Sequence, residues 1–461
     1  LIEKGDTVGG TWRENTYPGA ACDVQSHMYS LSFEPKTDWS KRYAGWEEIQ
    51  AYIQTTAKKY DLDSYARYHT EVVGAHFDQD TAYWTLSFQD GDSLKCKYFV
   101  LASGPLHVPQ VPRLKGIENF KGKVFHSAQW DHSYDLTGKN VVSIGTGGSA
   151  IQYVPEIAPQ VKQLYVMQRT PAWVIPRDER KYAELEKTVF EKIPALRKLH
   201  RARLYWSNES RVVPIFKPAM MKQAQKLAAL FIRYQVKDPA IAKKLTPDYV
   251  LGCKRILISN KYFPTFNRPN VELVTDGIAE IRENSIVTKD GVERPADCII
   301  YGTGFITDPR IYMKNFSCTG INGHDLMQDW KQGAESYYGV TTTGYPNMFQ
   351  LVGPNTGLGH NSIIFMIEAQ VHYILELMKL MKKQNADYVD VRADVQAEFN
   401  EKVQKSLDGT VWATGCTSWY QQDGGKNFAI WPGYTWRYWL ETRKVKASDF
   451  VFGKAKTAVT A

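Results

Sequence analysis

The stretch Lys139-Asn140-Val141-Val142-Ser143-Ile144 runs directly into Gly145-Thr146-Gly147-Gly148-Ser149-Ala150 and then into an apolar helical segment. No other feature limits the fold as much. The glycine run fits GxGxxA in the strand–turn–helix context that this pattern needs. Gly145 makes the tight turn, Gly147 lets backbone N–H groups approach a pyrophosphate, and Ala150 is small enough for the helix to pack on the strand. The chain must therefore contain at least one parallel α/β dinucleotide-binding unit. At the end of the next strand stand Gln168-Arg169-Thr170, where an NAD-binding unit would place an acid. An arginine beside a hydroxyl suits a 2′-phosphate instead, so NADPH is the expected nucleotide.

A second nucleotide is expected from the start of the chain. Leu1-Ile2-Glu3 reads as a buried strand followed by an acid of the kind that takes ribose hydroxyls. No glycine loop precedes it, so the expectation is that a strand, its glycine loop and a helix lie upstream of residue 1. "YFVLASGP" from Tyr98 and "CIIYGTGF" from Cys298 each put small residues at a strand end, where backbone could approach a flavin nucleotide. Three β-like runs follow a helical pattern in residues 46–62: "YHTEVVGAHF", "AYWTLSFQD" and "LKCKYFVLASG", with Gly91-Asp92 as a hairpin turn. The Pro-rich segment 106–120 reads as a domain crossing. Strands alternating with helices predict an α/β protein with two Rossmann-like dinucleotide-binding domains and a helical insertion. The expected boundaries are 1–112 for the first part of an FAD-binding domain and 113–300 for an NADP-binding domain with an insertion at about 178–251. Residues 301–461 then complete the FAD-binding domain and add C-terminal substrate and cofactor loops.

At 461 residues the chain is long enough for such a pair of domains. A net charge of +8 from scattered Lys and Arg excludes a dedicated nucleic-acid surface, and the basic run Arg197 to Arg203 reads as a solvated helix face. The six cysteines form no close pair, which argues against a metal site or a dithiol redox centre and for reduced thiols in the cytoplasm. The apolar stretch from Ser362 carries Glu368, Gln370, His372 and Glu376, so it reads as a core helix, not a membrane span.

Two longer patterns carry a family resemblance. "FKGKVFHSAQWD" matches FxGxxxHxxxW[P/D] through Phe120, Gly122, His126, Trp130 and Asp131, and "GGTWRENTYPGAACD" matches [AG]GxWxxxx[FY]PGxxxD from Gly9 to Asp23. Together with "LGCKRILIS", "GPNTGLGHNS" and "TSWY", they make the chain, from Leu1 to about Trp419, resemble the type I Baeyer–Villiger monooxygenases. That family uses FAD, NADPH and O2 to convert a ketone into an ester or lactone through a flavin peroxide. The resemblance implies that Arg255 is the catalytic cation, with Asp23 as its partner, because guanidinium stays charged at all working pH values. It implies FAD contacts from Glu3, Gly9, Gly10, Thr11, Trp12, Asp23, Tyr29, Val72, Gly104 and Ile363. NADP contacts are implied for the glycine turn, Gln152, Arg169, Thr170, Lys254, Arg255 and Trp419. His126 is expected to link the two domains, not to act as an acid or base. NADP+ is expected to stay bound and shield the site from water. Beyond "TSWY" the chain reads "QQDGGKNFAIWPGYTW", unlike cyclohexanone-type relatives, so the substrate loop is unmatched. Two alternatives stand beside this reading: a flavin monooxygenase acting on nitrogen or sulfur, and a non-catalytic nucleotide-binding protein.

Overall fold

The computed structural model describes residues 1–416, 418–421 and 425–456. Its centre is a five-stranded, all-parallel sheet in the spatial order Val271–Val274, Gln163–Met167, Asn140–Ile144, Cys298–Tyr301 and Lys123–His126. These strands are apolar runs buried on both faces, as parallel strands covered by helices must be. The helix Ala150–Ile157 follows the glycine turn and buries Ala150, Ile151, Tyr153, Val154 and Ile157 against the sheet. At Gly145, with φ +113°, an added Cβ would lie 2.3 Å from the Gly302 carbonyl oxygen, so the turn needs glycine for close approach as well as for its dihedral.

A second body is built from shorter pieces. Val72–Asp78, Tyr83–Phe88 and Ser93–Cys96 form an antiparallel meander, extended by Ser317–Thr319 lying parallel to the first strand. Phe99–Leu101 pairs in parallel with Met348–Gln350, and Ile2 makes a parallel bridge to Arg67. "LKCKYFVLASG", expected as one strand, thus divides between two sheets. The chain changes partners at Lys97-Tyr98, and Phe99 N–H donates to the Asn347 carbonyl. Hydrophobic alternation alone carries no mark of that exchange. "CIIYGTGF" supplies the strand Cys298–Tyr301 inside the five-stranded sheet, and the Gly302 that follows it lies against the Gly145 turn.

Two crossings join the bodies, and they are bonded to each other. Gln110 N–H donates to the Gly304 carbonyl at 2.8 Å, Ile306 N–H donates to the Val108 carbonyl at 2.9 Å, and Pro109 bridges Phe305. The insertion is helical, as expected: Glu184–Lys192, Pro194–Ser210, Val212–Ile215, Pro218–Gln235 and Pro239–Leu245. Three of these helices open on proline, whose missing N–H costs nothing at a first position. One apolar core runs from Ile151 and Val154 through Val212, Met221 and Ile232 of the insertion to Val411 and Trp412 near the C-terminus. Among the described residues, no helix is long and apolar enough to cross a membrane.

The expectation of six reduced thiols is overturned. Cys253 and Cys416, 163 residues apart, form a disulfide with a Cα–Cα distance of 6.3 Å. Short-range spacing cannot reveal a pair that only the fold brings together.

Candidate active site

The segments singled out by the sequence converge on one cleft. Arg255 Nη2 donates to Asp23 Oδ2 at 2.5 Å, joining the strand of chain after Gly252 to the N-terminal segment. The two side chains are surrounded by protein yet remain 41% and 30% accessible, so the pair lines an opening instead of filling a core. Burial pushes the Asp23 carboxyl up, but the neighbouring Arg255 charge, its hydrogen bond and the more distant Arg177 outweigh this and hold it below the usual range. Asp23 in turn raises the Arg255 guanidinium against the opposing effect of burial. Both groups are therefore ionised at neutral pH. The phenols of Tyr17, Tyr29 and Tyr420 all lie within reach of this charge pair, and burial keeps each of them protonated.

The N-terminal segment is held by an exact match of short contacts around its glycines. Gly9 and Gly10 have φ of +131° and +49°, and an added Cβ on Gly9 would collide with Gln50, whose Nε2 donates to the Val8 carbonyl. Trp12 Nε1 donates to the Tyr29 hydroxyl at 3.2 Å. Glu3 Oε1 accepts from Gly5 N–H and Arg13, and the Glu3 backbone pairs with Arg67 and Thr70, which brings Glu3 beside the start of the Val72 strand. Ile363 opens the long helix Ile363–Lys383, and the buried hydroxyl of Ser362 just before it has no hydrogen-bond partner among the described residues.

These residues fit a dinucleotide and a flavin nucleotide. An added Cβ on Gly10, Gly104, Gly147 or Gly304 would meet nothing within 4 Å, so at each of them bare backbone faces open space. Ser149 makes no side-chain cap to the helix it precedes; Ile151 N–H and Gln152 N–H close back on the Gly147 and Ser149 carbonyls, so the N–H groups of the turn itself, up to Ala150, are the ones placed for an anion. Thr146 Oγ1 donates to the Thr170 carbonyl at 2.9 Å and so ties the glycine turn to the 168–170 segment. Arg169 is exposed, and Lys254 is near enough to feel its charge. Burial first, and Arg169 second, lower the Lys254 ammonium. Asp248 opposes this only in third place, and two cations held this close suit a doubly charged phosphate.

Other predicted residues are engaged within the protein. Gln152 accepts from the Tyr17 hydroxyl at 2.9 Å and from Ala21 N–H, and donates to the Ala21 carbonyl, bracing the helix after the glycine turn against the 17–21 segment. The Trp419 ring lies tilted against Tyr420, with centroids 4.4 Å apart, and its carbonyl accepts from Thr307, next to the second crossing. Of "TSWY", Thr417 lies outside the described residues, as do 422–424 of the unmatched substrate loop.

The fingerprint segment forms the edge of the parallel sheet. An added Cβ on Gly122 would strike the Phe120 ring and the Asp297 carbonyl, so the glycine lets that ring fold over the chain. Trp130 packs on Phe125 and Tyr153, and Asp131 bonds Lys123 and Ser133. His126 is buried, accepts at Nδ1 from Ala128 N–H and lies edge-on to Phe305 in the second crossing. Burial lowers its imidazole, opposed by the Gly304 backbone.

Sequence reasoning missed the fastening of the insertion. Glu209, read within a charged helical run, is 2% exposed. It accepts from Thr435 Oγ1 at 2.6 Å, Asn361 Nδ2 at 2.7 Å and Thr435 N–H at 3.1 Å, and it faces His360 Nε2 at 3.3 Å. Arg201, expected on a solvated face, instead donates to His27 and Ser30 of the N-terminal segment. Nothing in local spacing separates these two from solvated neighbours. Only the apolar bracketing of Glu209 by Leu204 and Val212 offered a signal.

The comparisons agree with this geometry. The family model for flavin-binding monooxygenase-like proteins matches residues 2–314. A protein of Pseudomonas aeruginosa named Baeyer-Villiger monooxygenase is 46% identical over 453 residues, covering 98% of this chain and 86% of that relative. A structure of oxidized steroid monooxygenase bound to NADP superposes with a TM-score of 0.89 at 29% identity, over 98% of this chain and 94% of the other. A structure of OTEMO in complex with FAD and NADP gives a TM-score of 0.88 at 27% identity, with the same coverage. A cleft lined by an ionised Arg255–Asp23 pair, a dinucleotide turn and bare glycine backbone, together with these likenesses, identifies the chain as a member of the flavin-binding monooxygenase-like family and, within it, of the Baeyer–Villiger monooxygenases.

Proposed function

We propose that this chain uses FAD, NADPH and O2 to insert an oxygen atom beside a ketone carbonyl, giving an ester or lactone. The observation that carries this reading is the ionised Arg255–Asp23 pair lining the cleft where the nucleotide-facing segments meet. A bound flavin, reduced by NADPH, supplies the activated oxygen. The protein's own residues then do three things. Arg255 presents a fixed positive charge where negative charge develops on oxygen. Asp23 aims the guanidinium and keeps it in place, and the pair tolerates its surroundings because each charge answers the other. Trp419 and Tyr420 wall the opening with large apolar faces.

Arg169, Thr170 and Lys254 are assigned to the 2′-phosphate of NADPH, and the glycine turn to its pyrophosphate. Glu3, Gly9 to Trp12, Tyr29, Val72, Gly104 and Ile363 are assigned to FAD. His126 is assigned to the contact between the sheet edge and the second crossing, where its ring meets Phe305.

The test is to measure ketone-dependent NADPH oxidation by the flavin-loaded protein, with mass spectrometry of the product. An ester or lactone heavier than the ketone by one oxygen supports the reading. NADPH oxidation that yields sulfoxides or N-oxides but no ester from any ketone class would replace it with nitrogen or sulfur oxygenation.

A further inference from the structure

The helix Pro218–Gln235 is apolar on two sides, and only one of them has a partner. Met221, Ala228 and Ile232 are buried in the main core, which fixes the helix against the molecule. On the outward side, Met220, Leu227, Leu230 and Tyr234 are 46%, 69%, 57% and 86% exposed. At 3.6 residues per turn these four fall within an arc of about 80°, forming one continuous ridge. Single exposed apolar residues are ordinary on a protein surface, but an aligned ridge of four marks an interaction face.

The charges beside the ridge say what it fits. Lys222, Lys226 and Arg233 are exposed and line one flank of the same helix. From Arg211 to Lys237 there is no Asp or Glu at all. Among the described residues, none of these three cations takes part in an ion pair. A second copy of the chain would set this cationic flank against its own image at a two-fold interface, so self-association is electrostatically opposed. An apolar ridge flanked by a row of cations has the form of a helix lying in the interface of a lipid layer with negative headgroups: the ridge enters the acyl boundary and the cations meet the headgroups.

We propose that the outward face of Pro218–Gln235 docks this protein on an anionic lipid surface. The contact would lie over the insertion, on the far side of the helix from the catalytic cleft. Met221, on the inner side, packs against Gly252 and Val411, close to Cys253 and Arg255. Docking therefore needs no residue of the cleft and leaves its opening unchanged.

The test is co-sedimentation of the flavin-loaded full chain with vesicles of phosphatidylcholine alone or mixed with phosphatidylglycerol, at moderate salt. Binding to the anionic vesicles at least about tenfold tighter than to neutral ones is expected. Leu227→Ser with Leu230→Ser, and separately Lys222→Gln with Lys226→Gln and Arg233→Gln, should each weaken it at least about tenfold. Melting temperature and NADPH oxidation should stay at the wild-type level in both variants, since all five side chains are exposed. Three outcomes would overturn the proposal. One is no preference for anionic vesicles. Another is binding that the serine variant retains in full, which would reduce the effect to diffuse attraction by net charge. The third is a wild-type dimer in sedimentation velocity that the serine variant splits, which would make a second copy the occupant.

Discussion

The two fingerprint segments, 120–131 and 9–23, match their patterns equally well, yet the structure uses them in opposite ways. In the first, each patterned side chain is engaged within the protein: Phe120 over Gly122, Trp130 against Phe125 and Tyr153, Asp131 on Lys123 and Ser133. In the second, Gly10 faces open space and Asp23 meets Arg255 at a partly accessible surface. A motif thus marks a place where residue identity matters without saying whether the reason is holding or reacting. The distinction lies in whether the segment borders the cleft, since Trp12, Tyr17 and Asp23 are also hydrogen-bonded within the protein.

The sharpest way to break this contrast is at Arg255. Arg255→Ala should lower ester formation by at least about a thousandfold, while NADPH still reduces the flavin within about threefold of the wild-type rate in stopped-flow absorbance. Retained ester formation would move the chemistry away from the cleft pair. In the fingerprint segment the expected loss is of the other kind. Trp130→Ala should cost about 3 kcal/mol of stability, from lost packing on Phe125 and Tyr153, with turnover per intact flavoprotein within about twofold. Denaturant unfolding and flavin-normalised rates separate the two effects.

Arg169→Ala should raise the NADPH KM by roughly tenfold or more with little change for NADH, because only the former carries the 2′-phosphate. Equal effects on both cofactors would remove Arg169 from that role. The smallest effect is expected at Asp131, half-buried beside the edge strand, where it bonds Lys123. Lys123 and Ser133 hold its carboxyl below the usual range, so its stabilising contribution is present above about pH 4 and fades as pH falls through the lower folded value. Asp131→Asn should therefore flatten part of the acid-side loss in melting temperature and leave activity at pH 7 unchanged. In Asp23→Asn a similar flattening should come with loss of activity.

Much of the fold was legible because it depends on local patterns. The glycine turn, the flanking strands, the hairpin at Gly91-Asp92 and the long helix from Ile363 follow from periodicity and turn chemistry within short windows. The cleft residues came from the glycine turn, the pattern from Gly9 to Asp23 and the shorter segments around Arg255 and Trp419. What stayed hidden was every contact made by folding distant segments together. Glu209 looks like any acid on a polar helix until Asn361 and Thr435 surround it. Cys253 and Cys416 look like unrelated thiols until the fold pairs them, and nothing local shows that Gln152 braces Tyr17 and Ala21. The splitting of the run at Lys97-Tyr98 belongs to the same class, since a strand's partner is chosen by the sheet and not by the strand.

The disulfide changes what the two paired crossings can do. Two attachment points placed side by side, as at Gln110–Gly304 and Val108–Ile306, define an axis about which one body could swing against the other. Cys416 follows the helix Ala393–Leu407, which packs with the second body, and Cys253 precedes Arg255 on the first. The Cys253–Cys416 bridge is a covalent link far in sequence from both crossings, added to the packing and hydrogen bonds that already join these segments. With the bridge closed, the segment that carries Arg255 and the one that carries Trp419 are covalently one piece of the cleft wall.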